Sequence, residues 1–223
     1  MESTKTRILK KLLETDGYLS GQEMCEQLGV SRTAVWKYMK QLKEEGYEIE
    51  AVQNKGYCLK DVPDVLGESE IKSRLHTRWV GQTLYYYDEI DSTNTQIKRL
   101  AEEDAPHGTL AVADYQSRGK RRRGRAWDSP HGSAIYMSIL FRPEIRPDRA
   151  SMLTLVIGLS VTQAIRSNLG LQAQIKWPND VVLNGKKLVG ILTEMSAQMN
   201  YIEYLVTGIG INANLREFPE ELE

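Results

Sequence analysis

The hydrophobic residues of the first 45 positions recur at helical spacing, and this pattern predicts three short helices. The first covers residues 4–15, and the other two begin after Ser20 and Ser31, which are typical N-cap residues. Glu23 stands three residues after Ser20 and completes a capping box. Gly29 ends the second helix, so the order of helix, glycine-containing turn and capped helix indicates a helix-turn-helix.

After the third helix the pattern changes to alternation, which predicts two strands at 47–51 and 57–60 joined by a turn at 54–56. Three helices and a β-hairpin are typical of a winged helix that binds DNA. The third helix is basic, and its N-terminal part is expected in the major groove. The DNA-binding candidates are Ser31, Arg32, Thr33, Lys37 and Lys40. The alternative is a small helical domain for protein contacts with solvated lysines.

The composition changes after the hairpin: the segment 61–67 contains a proline and a glycine. We expect a DNA-binding domain at 1–62 and a linker at 63–80, with a short helix near 68–76. A second domain is expected at 81–223.

Strand and helix patterns mix in the second domain. A predicted strand at 85–87 precedes a helix for which Thr93 and Gln96 can form a capping box. Apolar residues at 149–169 predict a long helix, and Asn184-Gly185 predicts a tight hairpin. The fold class is therefore α+β, with a mixed, largely antiparallel sheet. The sequence holds no GxGxxG or Walker A motif.

The composition is that of an ordinary soluble protein: 223 residues, 41% hydrophobic, 26% charged, net charge −1. A near-neutral chain cannot bind nucleic acid by bulk charge, so any such binding needs a local basic patch. The two cysteines are far apart in the sequence, and the first residues do not resemble a signal peptide. The most apolar stretch, 152–165, is too short and too polar to span a bilayer. These features predict a cytoplasmic protein.

Two segments of the second domain carry candidate chemistry. Ser92, Thr93 and Asn94 open a helix directly after a strand, where backbone N–H groups and hydroxyls suit a polar or anionic ligand. The segment 116–127 holds six basic residues and two glycines and no acid. Such a loop suits phosphate. A solvated basic loop or a second nucleic-acid contact remains the alternative.

The ordered motifs DSTN, YQSRGKRRRGRAW, KWPND, KLVGIL and GIGIN resemble those of the bacterial biotin–protein ligases. The winged helix is similar to that of their bifunctional form, which also represses biotin synthesis genes. The resemblance implies a catalytic domain with a mixed sheet like that of class II aminoacyl-tRNA synthetases. It implies that biotin and MgATP form biotinyl-5′-AMP, which then acylates a lysine of the biotin carboxyl carrier protein of acetyl-CoA carboxylase.

The resemblance also assigns residues to each part of this reaction. Arg122 and Lys187 are expected to be catalytic. The residues implied for biotin are Ser92, Thr93, Asn94, Gln116, Lys120, Arg121, Arg122 and Lys187. Those implied for ATP or the adenylate are Arg122, Arg125, Trp127, Lys176, Asn179, Asp180, Lys187 and Asn212. The cofactors implied are ATP and Mg²⁺, with no metal ligands assigned to the protein.

The chain departs from the family in two places. The family loop usually reads Gly-Arg-Gly-Arg-X-Gly-Arg, whereas Lys120 here lacks the bidentate fork of arginine and Arg121 replaces a glycine. Looser retention of the adenylate is therefore expected. Family members continue into a small SH3-like C-terminal domain. Because this chain stops at Glu223, we expect that domain to be absent and ligase activity to be impaired.

Two other functions fit the residues: a biotin-sensing repressor without catalysis, and a lipoate or octanoate ligase of the same superfamily. A regulatory hypothesis joins the two domains. The adenylate orders the basic loop, the ordered loop completes a homodimer surface, and the dimer binds two operator half-sites.

Overall fold

The computed structural model describes residues 3–121, 126–127 and 130–214. The chain divides into two compact units, Met1–His76 and Thr77–Glu223. The division falls inside the segment 63–80, which the sequence predicts as a linker.

The first unit is a winged helix whose boundaries follow the predicted caps. Its elements are α1 (Thr4–Glu14), α2 (Gly21–Leu28), α3 (Arg32–Glu44), β1 (Glu48–Val52), β2 (Gly56–Asp61) and α4 (Glu68–Arg74). The side chains of Ser20 and Ser31 accept hydrogen bonds from Glu23 N and Ala34 N, as predicted. Gly29 ends α2 in the left-handed conformation.

The core of this unit is a cluster of buried aliphatic side chains from all three predicted helices, including Ile8, Leu12 and Leu42. Helix α4 contacts α1. Tyr47 donates a hydrogen bond of 2.6 Å to Glu70 of α4. By these contacts α4 belongs to the first unit.

The second unit is built on a seven-stranded sheet. Its elements are β3 (Leu84–Ile90), α5 (Thr93–Glu102), β4 (Leu110–Gln116), β5 (Gly119–Lys120), β6 (Ala126–Trp127), β7 (Ala134–Phe141), α6 (Ala150–Leu169), β8 (Gln174–Lys176), β9 (Asp180–Leu183), β10 (Lys186–Ala197) and β11 (Ile202–Asn212). The strand order is β3-β4-β7-β11-β10-β9-β8. The β3–β4 pair is parallel and the other described pairs of this sheet are antiparallel, which confirms the α+β class.

Local sequence signals explain several of these boundaries. Asn184 and Gly185 both have positive φ and join β9 to β10 in the predicted hairpin. Strand β11 continues to Asn212 and contains the GIGIN segment. Antiparallel pairing with β7 continues as far as Asn212, which holds the segment extended.

Helix α5 packs against the sheet through Ile97, Leu100 and Ala101, which lie in one buried cluster with Leu140 and Val206. This packing fixes the position of the N-terminus of α5 over the middle strands.

The helical segment Pro147–Leu169 is long and apolar enough, by length and composition, to cross a membrane, with 28% of its apolar window buried. Core helices of soluble proteins pass the same test, so this one helix is weak evidence for a membrane span.

Candidate active site

A cavity of about 300 Å³ lies in the second unit, where the N-terminus of α5 and the end of β4 meet β9, β10 and β11. Its lining combines hydroxyl and amide groups with cations and one indole. The predicted site residues that line it are Ser92, Thr93, Asn94, Gln116, Lys120, Arg121, Trp127, Asn179, Asp180 and Lys187. The tertiary structure therefore brings together motifs that are separated by almost one hundred residues.

The other predicted residues lie elsewhere. Lys176 is exposed at the end of β8 and is not in the described lining. Asn212 is buried, and its side-chain amide donates a hydrogen bond of 3.2 Å to the Lys187 carbonyl, so it supports the strand that carries Lys187. Arg122 and Arg125 lie outside the described residues.

Three glycines line the part of the cavity made by β10 and β11, together with Lys187, Ile191, Leu192 and Ile209. Gly190 and Gly210 pair directly across the two strands, and the Trp127 ring lies against both. Gly208 lies against the Asn94 amide, where a Cβ atom would overlap it. The glycines of the KLVGIL and GIGIN motifs are therefore needed for close approach of side chains to the sheet.

Lys187 and Asp180 form an ion pair of 2.7 Å inside the cavity. Both side chains are about four-fifths buried, at 18% and 22% exposure. The Lys187 ammonium also lies 5.4 Å from the centre of the Trp127 ring. Asn179 donates to the Asp180 carboxylate over 3.2 Å and to the Ile191 carbonyl over 3.1 Å. These contacts hold a cation and a carboxylate in defined positions beside the indole.

The described part of the basic loop closes over the same indole. Gly119 pairs with Trp127 and Lys120 with Ala126 in a two-stranded sheet that the sequence did not predict. The Arg121 guanidinium lies 5.0 Å from the Trp127 ring centre, and Lys120 donates a hydrogen bond of 3.1 Å to the Thr95 hydroxyl.

Arg121, where the resemblance to the ligase family predicts a glycine, is not among the described residues with positive φ. Among the described residues, the non-glycine positions with positive φ are Asn54, Asp104 and Asn184. The Arg121 side chain is partly buried, and its Nε has no hydrogen-bond partner among the described residues.

The hydroxyl and amide end of the cavity is a buried polar network. Thr93 N donates to Gln116 Oε1 over 2.8 Å, and the hydroxyl oxygens of Thr93 and Ser138 are 2.7 Å apart. Ser138 Oγ is also 2.6 Å from Asn94 Oδ1. Ser138 was missed in the sequence because it stands in an alternating strand, where a serine is expected to face solvent.

The predicted capping box of Thr93 and Gln96 is wrong. The N-cap of α5 is Ser92, which makes no side-chain capping bond within the described structure, and Thr93 is the first helical residue. The Thr93 hydroxyl instead contacts Ser138 and Gln116, which lie on β7 and β4.

Two carboxylates with lowered pKa values flank this network. Burial raises the pKa of Asp91, but hydrogen bonds from Arg99 (2.7 Å) and Ser92 N (2.7 Å) outweigh it and hold the pKa below its ordinary value. Burial likewise raises the pKa of Glu194, and hydrogen bonds from Lys98 and Asn94 bring it below its ordinary value. The sequence reasoning did not identify Glu194.

The first unit presents a different surface. Helix α3 buries Val35, Met39 and Leu42 and leaves its opposite face exposed. The predicted DNA-binding residues on this exposed face are Ser31, Arg32, Thr33, Lys37 and Lys40. Trp36, with 61% of its surface exposed, lies among them and was not predicted. Arg32 is held by a hydrogen bond of 2.7 Å to Gln22 of α2.

The chain matches two groups of known proteins, the biotin/lipoate A/B protein ligase family over residues 86–212 and an HTH domain over residues 4–58. It is 46% identical to the bifunctional ligase/repressor BirA of Bacillus spizizenii over 227 residues, which cover 100% of this chain and 70% of that protein. The protein of the same name from Escherichia coli K12 is 34% identical over 212 residues, 95% of this chain and 64% of that one.

A solved structure shows the same relationship. The biotin protein ligase of Aquifex aeolicus in complex with biotin and ATP superposes with a TM-score of 0.54 and 40% sequence identity. That match covers 63% of this chain and 56% of the Aquifex chain.

Proposed function

Because the chain belongs to the biotin/lipoate A/B protein ligase family, we propose that it activates biotin with ATP and transfers biotin to a protein lysine, and that it represses transcription when bound to DNA. The single observation that carries the enzymatic part is the cavity itself. It joins a hydroxyl and amide end to a cationic end beside an indole, in a chain 46% identical to a bifunctional ligase/repressor.

The two ends of the cavity suit the two ends of biotin. The ureido ring has N–H donors and a carbonyl acceptor, which match the hydroxyl and amide groups of Ser92, Thr93, Asn94 and Gln116. The biotin carboxylate then points toward Lys187 and the loop residues Lys120 and Arg121. Trp127 offers a ring face to adenine, and Asn179 and Asp180 line the same end.

In the first step a biotin carboxylate oxygen attacks the α-phosphorus of ATP. The new oxygen–phosphorus bond gives biotinyl-5′-AMP, and pyrophosphate leaves with the electron pair of the broken bond. Negative charge on the phosphate oxygens grows in the transition state, and the fixed ammonium of Lys187 stabilises it. Arg122 is assigned the same role, and Arg125, Lys176 and Asn212 are assigned to ATP through the family pattern alone.

Mg²⁺ fits this scheme as a partner of the ATP phosphates, whose charge it neutralises. The described residues contain no group of three or more histidine, cysteine, aspartate or glutamate side chains able to hold a metal ion. The carboxylate in the described cavity lining is Asp180, and it is paired with Lys187.

In the second step the ε-amino group of an acceptor lysine attacks the acyl carbon of the adenylate. An amide bond forms, AMP leaves, and the amine loses one proton. The acceptor we propose is the biotin carboxyl carrier protein of acetyl-CoA carboxylase.

The regulatory part of the proposal rests on the first unit. The exposed basic face of α3 suits the major groove, and the β1–β2 hairpin forms the wing. We propose a cytoplasmic protein that forms a homodimer when the adenylate is bound and then contacts two operator half-sites.

Mass spectrometry of the carrier protein after incubation with biotin and MgATP tests the enzymatic proposal. A gain of one biotinyl group on a lysine supports it, and lipoylation or octanoylation under matched conditions would identify the other ligase class. Release of pyrophosphate without transfer would limit the activity to the first step. If calorimetry shows biotin binding but neither pyrophosphate release nor transfer is detected, the protein is a biotin sensor without catalytic activity.

Sedimentation of the chain with and without biotin and ATP tests the regulatory proposal. A shift from monomer to dimer with both ligands, together with tighter binding to DNA upstream of biotin synthesis genes, is expected. Unchanged mass and DNA affinity would reject the coupling.

A further inference from the structure

A continuous series of polar contacts leads from the cavity to the outer part of the sheet. It runs from Thr93 to Ser138 (2.7 Å), from Ser138 to Asn94 (2.6 Å) and from Asn94 to Glu194 (2.8 Å). Lys98 ends it with an ion pair of 2.6 Å to Glu194. Thr93, Asn94 and Ser138 are at most 4% exposed, so these side chains depend largely on one another for hydrogen bonds.

The orientation of the Asn94 amide is set by two acceptors. Its nitrogen is 2.8 Å from the Glu194 carboxylate and 3.3 Å from the Leu192 carbonyl, neither of which carries a hydrogen. Turning the amide over would place its oxygen against both acceptors, which is repulsive. Asn94 Oδ1 therefore faces Ser138.

This orientation fixes the hydroxyl hydrogens. Ser138 has a single hydroxyl hydrogen. Asn94 Oδ1 carries no hydrogen, so the contact of 2.6 Å between these two atoms needs the hydrogen of Ser138. Ser138 is also the donor toward Thr93 Oγ1 over 2.7 Å, so the shorter contact of 2.6 Å to Asn94 Oδ1 draws its single hydrogen away from Thr93. The Thr93 hydroxyl itself donates to Gln116 Oε1 over 3.0 Å. The Thr93 oxygen is left with its lone pairs for a ligand, and Thr93 lines the cavity.

We propose that Glu194 is a positioning residue that acts through Asn94 and Ser138 to make Thr93 a hydrogen-bond acceptor, and so selects a ligand with an N–H donor. This inference rests on the proposed function and deepens it. A ureido ring has such donors, whereas the dithiolane of lipoate and the alkyl chain of octanoate have none. The series therefore distinguishes biotin from the substrates of the related ligases.

Lys98 has a supporting part in the same series. Its ammonium pairs with the second oxygen of Glu194, so the carboxylate stays ionised although it is only 27% exposed. An ionised carboxylate only accepts hydrogen bonds, so at 2.8 Å it strengthens the preference of the Asn94 amide for the orientation that the Leu192 carbonyl also favours.

The isosteric change Glu194→Gln tests this assignment. A glutamine side chain can donate as well as accept, so the longer contact of 3.3 Å to the Leu192 carbonyl is left to orient the Asn94 amide. We expect the Kd for biotin in calorimetry to rise about tenfold. The KM for ATP and the rate of pyrophosphate release at saturating biotin should stay within about twofold. Glu203→Gln is the matched control: Glu203 lies on β11, and its carboxylate accepts hydrogen bonds from Ser196 on β10 and from Gln198 in the connection between the two strands.

Ser138→Ala breaks the series at its middle and supplies a second, independent test. Alone, Ser138→Ala should raise the Kd for biotin by about as much as Glu194→Gln does. In the double variant Glu194→Gln/Ser138→Ala the two effects should not add, because the path from Glu194 to Thr93 is already broken. Additive effects would overturn the inference.

The outcomes separate this inference from the proposed function. If the unaltered chain binds biotin and releases pyrophosphate but Glu194→Gln has an unchanged Kd, only the positioning role is rejected. If the unaltered chain binds no biotin, the proposed function is rejected, and the inference with it.

Discussion

The indole of Trp127 lies against the backbone of Gly210, so closely that a Cβ atom there would come within 2.9 Å of ring atom Cζ2. Gly190, directly opposite Gly210 on β10, lies against the same ring. The ring therefore rests on a cross-strand pair of glycines. A methyl group on either glycine must displace it.

Gly210→Ala should weaken ATP binding more than biotin binding. Gly210 is not among the glycines with positive φ, so alanine can adopt its backbone conformation and the cost is confined to Trp127. Losing one stacked ring contact predicts a rise of about tenfold in the KM for ATP, measured by pyrophosphate release. Gly158→Ala is the control, since its Cβ would lie at an ordinary 3.6 Å from Ile191. An equal loss in both variants would contradict the proposed adenine position.

Lys187→Gln should reduce the rate of the first step by roughly 10²–10³-fold, because it removes a fixed cation from the developing phosphate charge. Pyrophosphate release at saturating biotin and ATP measures it. Lys186→Gln, one residue earlier on β10 and exposed, changes the net charge equally and should have little effect. Similar rates in the two variants would remove Lys187 from the proposed chemistry.

Lys37→Gln should weaken binding to a DNA duplex of random sequence and lower the salt dependence of that binding by about one unit of slope. Lys37 lies on the exposed face of α3, and each lysine that contacts a phosphate releases about one counterion. Fluorescence anisotropy over a range of salt concentrations measures the slope. The control Lys11→Gln, on α1, has the same net charge as Lys37→Gln and should keep the salt dependence of the unaltered chain.

Acid should reduce the stability of the second unit through Asp91 and Glu194. Both carboxylates have lowered pKa values in the folded chain. Their contribution is complete above the pKa of the unfolded chain, and it is lost as the pH falls through the lower folded pKa. Glu194→Gln should therefore lower the thermal unfolding midpoint at about pH 7 and have a smaller effect at about pH 3. A difference independent of pH, or an equal effect of Glu144→Gln on an exposed bend, would contradict this assignment.

The sequence alone predicted what depends on neighbouring residues. Ser20 and Ser31 cap helices, Gly29 ends one, and Asn184-Gly185 turns a hairpin, because capping and turn geometry act over two to four positions. The resemblance of its motifs to the biotin–protein ligases predicted the family, which the comparisons confirm.

Only the tertiary structure decided which of these residues meet and what their side chains do. Thr93 was assigned to a cap, but Ser138, 45 residues later, contacts its hydroxyl instead. Glu194 reaches Asn94 across 100 positions. Such contacts follow from the order of the strands and the packing of α5. Burial strongly favours a hydrogen-bond partner for each polar group, and the local sequence pattern does not contain the identity of that partner.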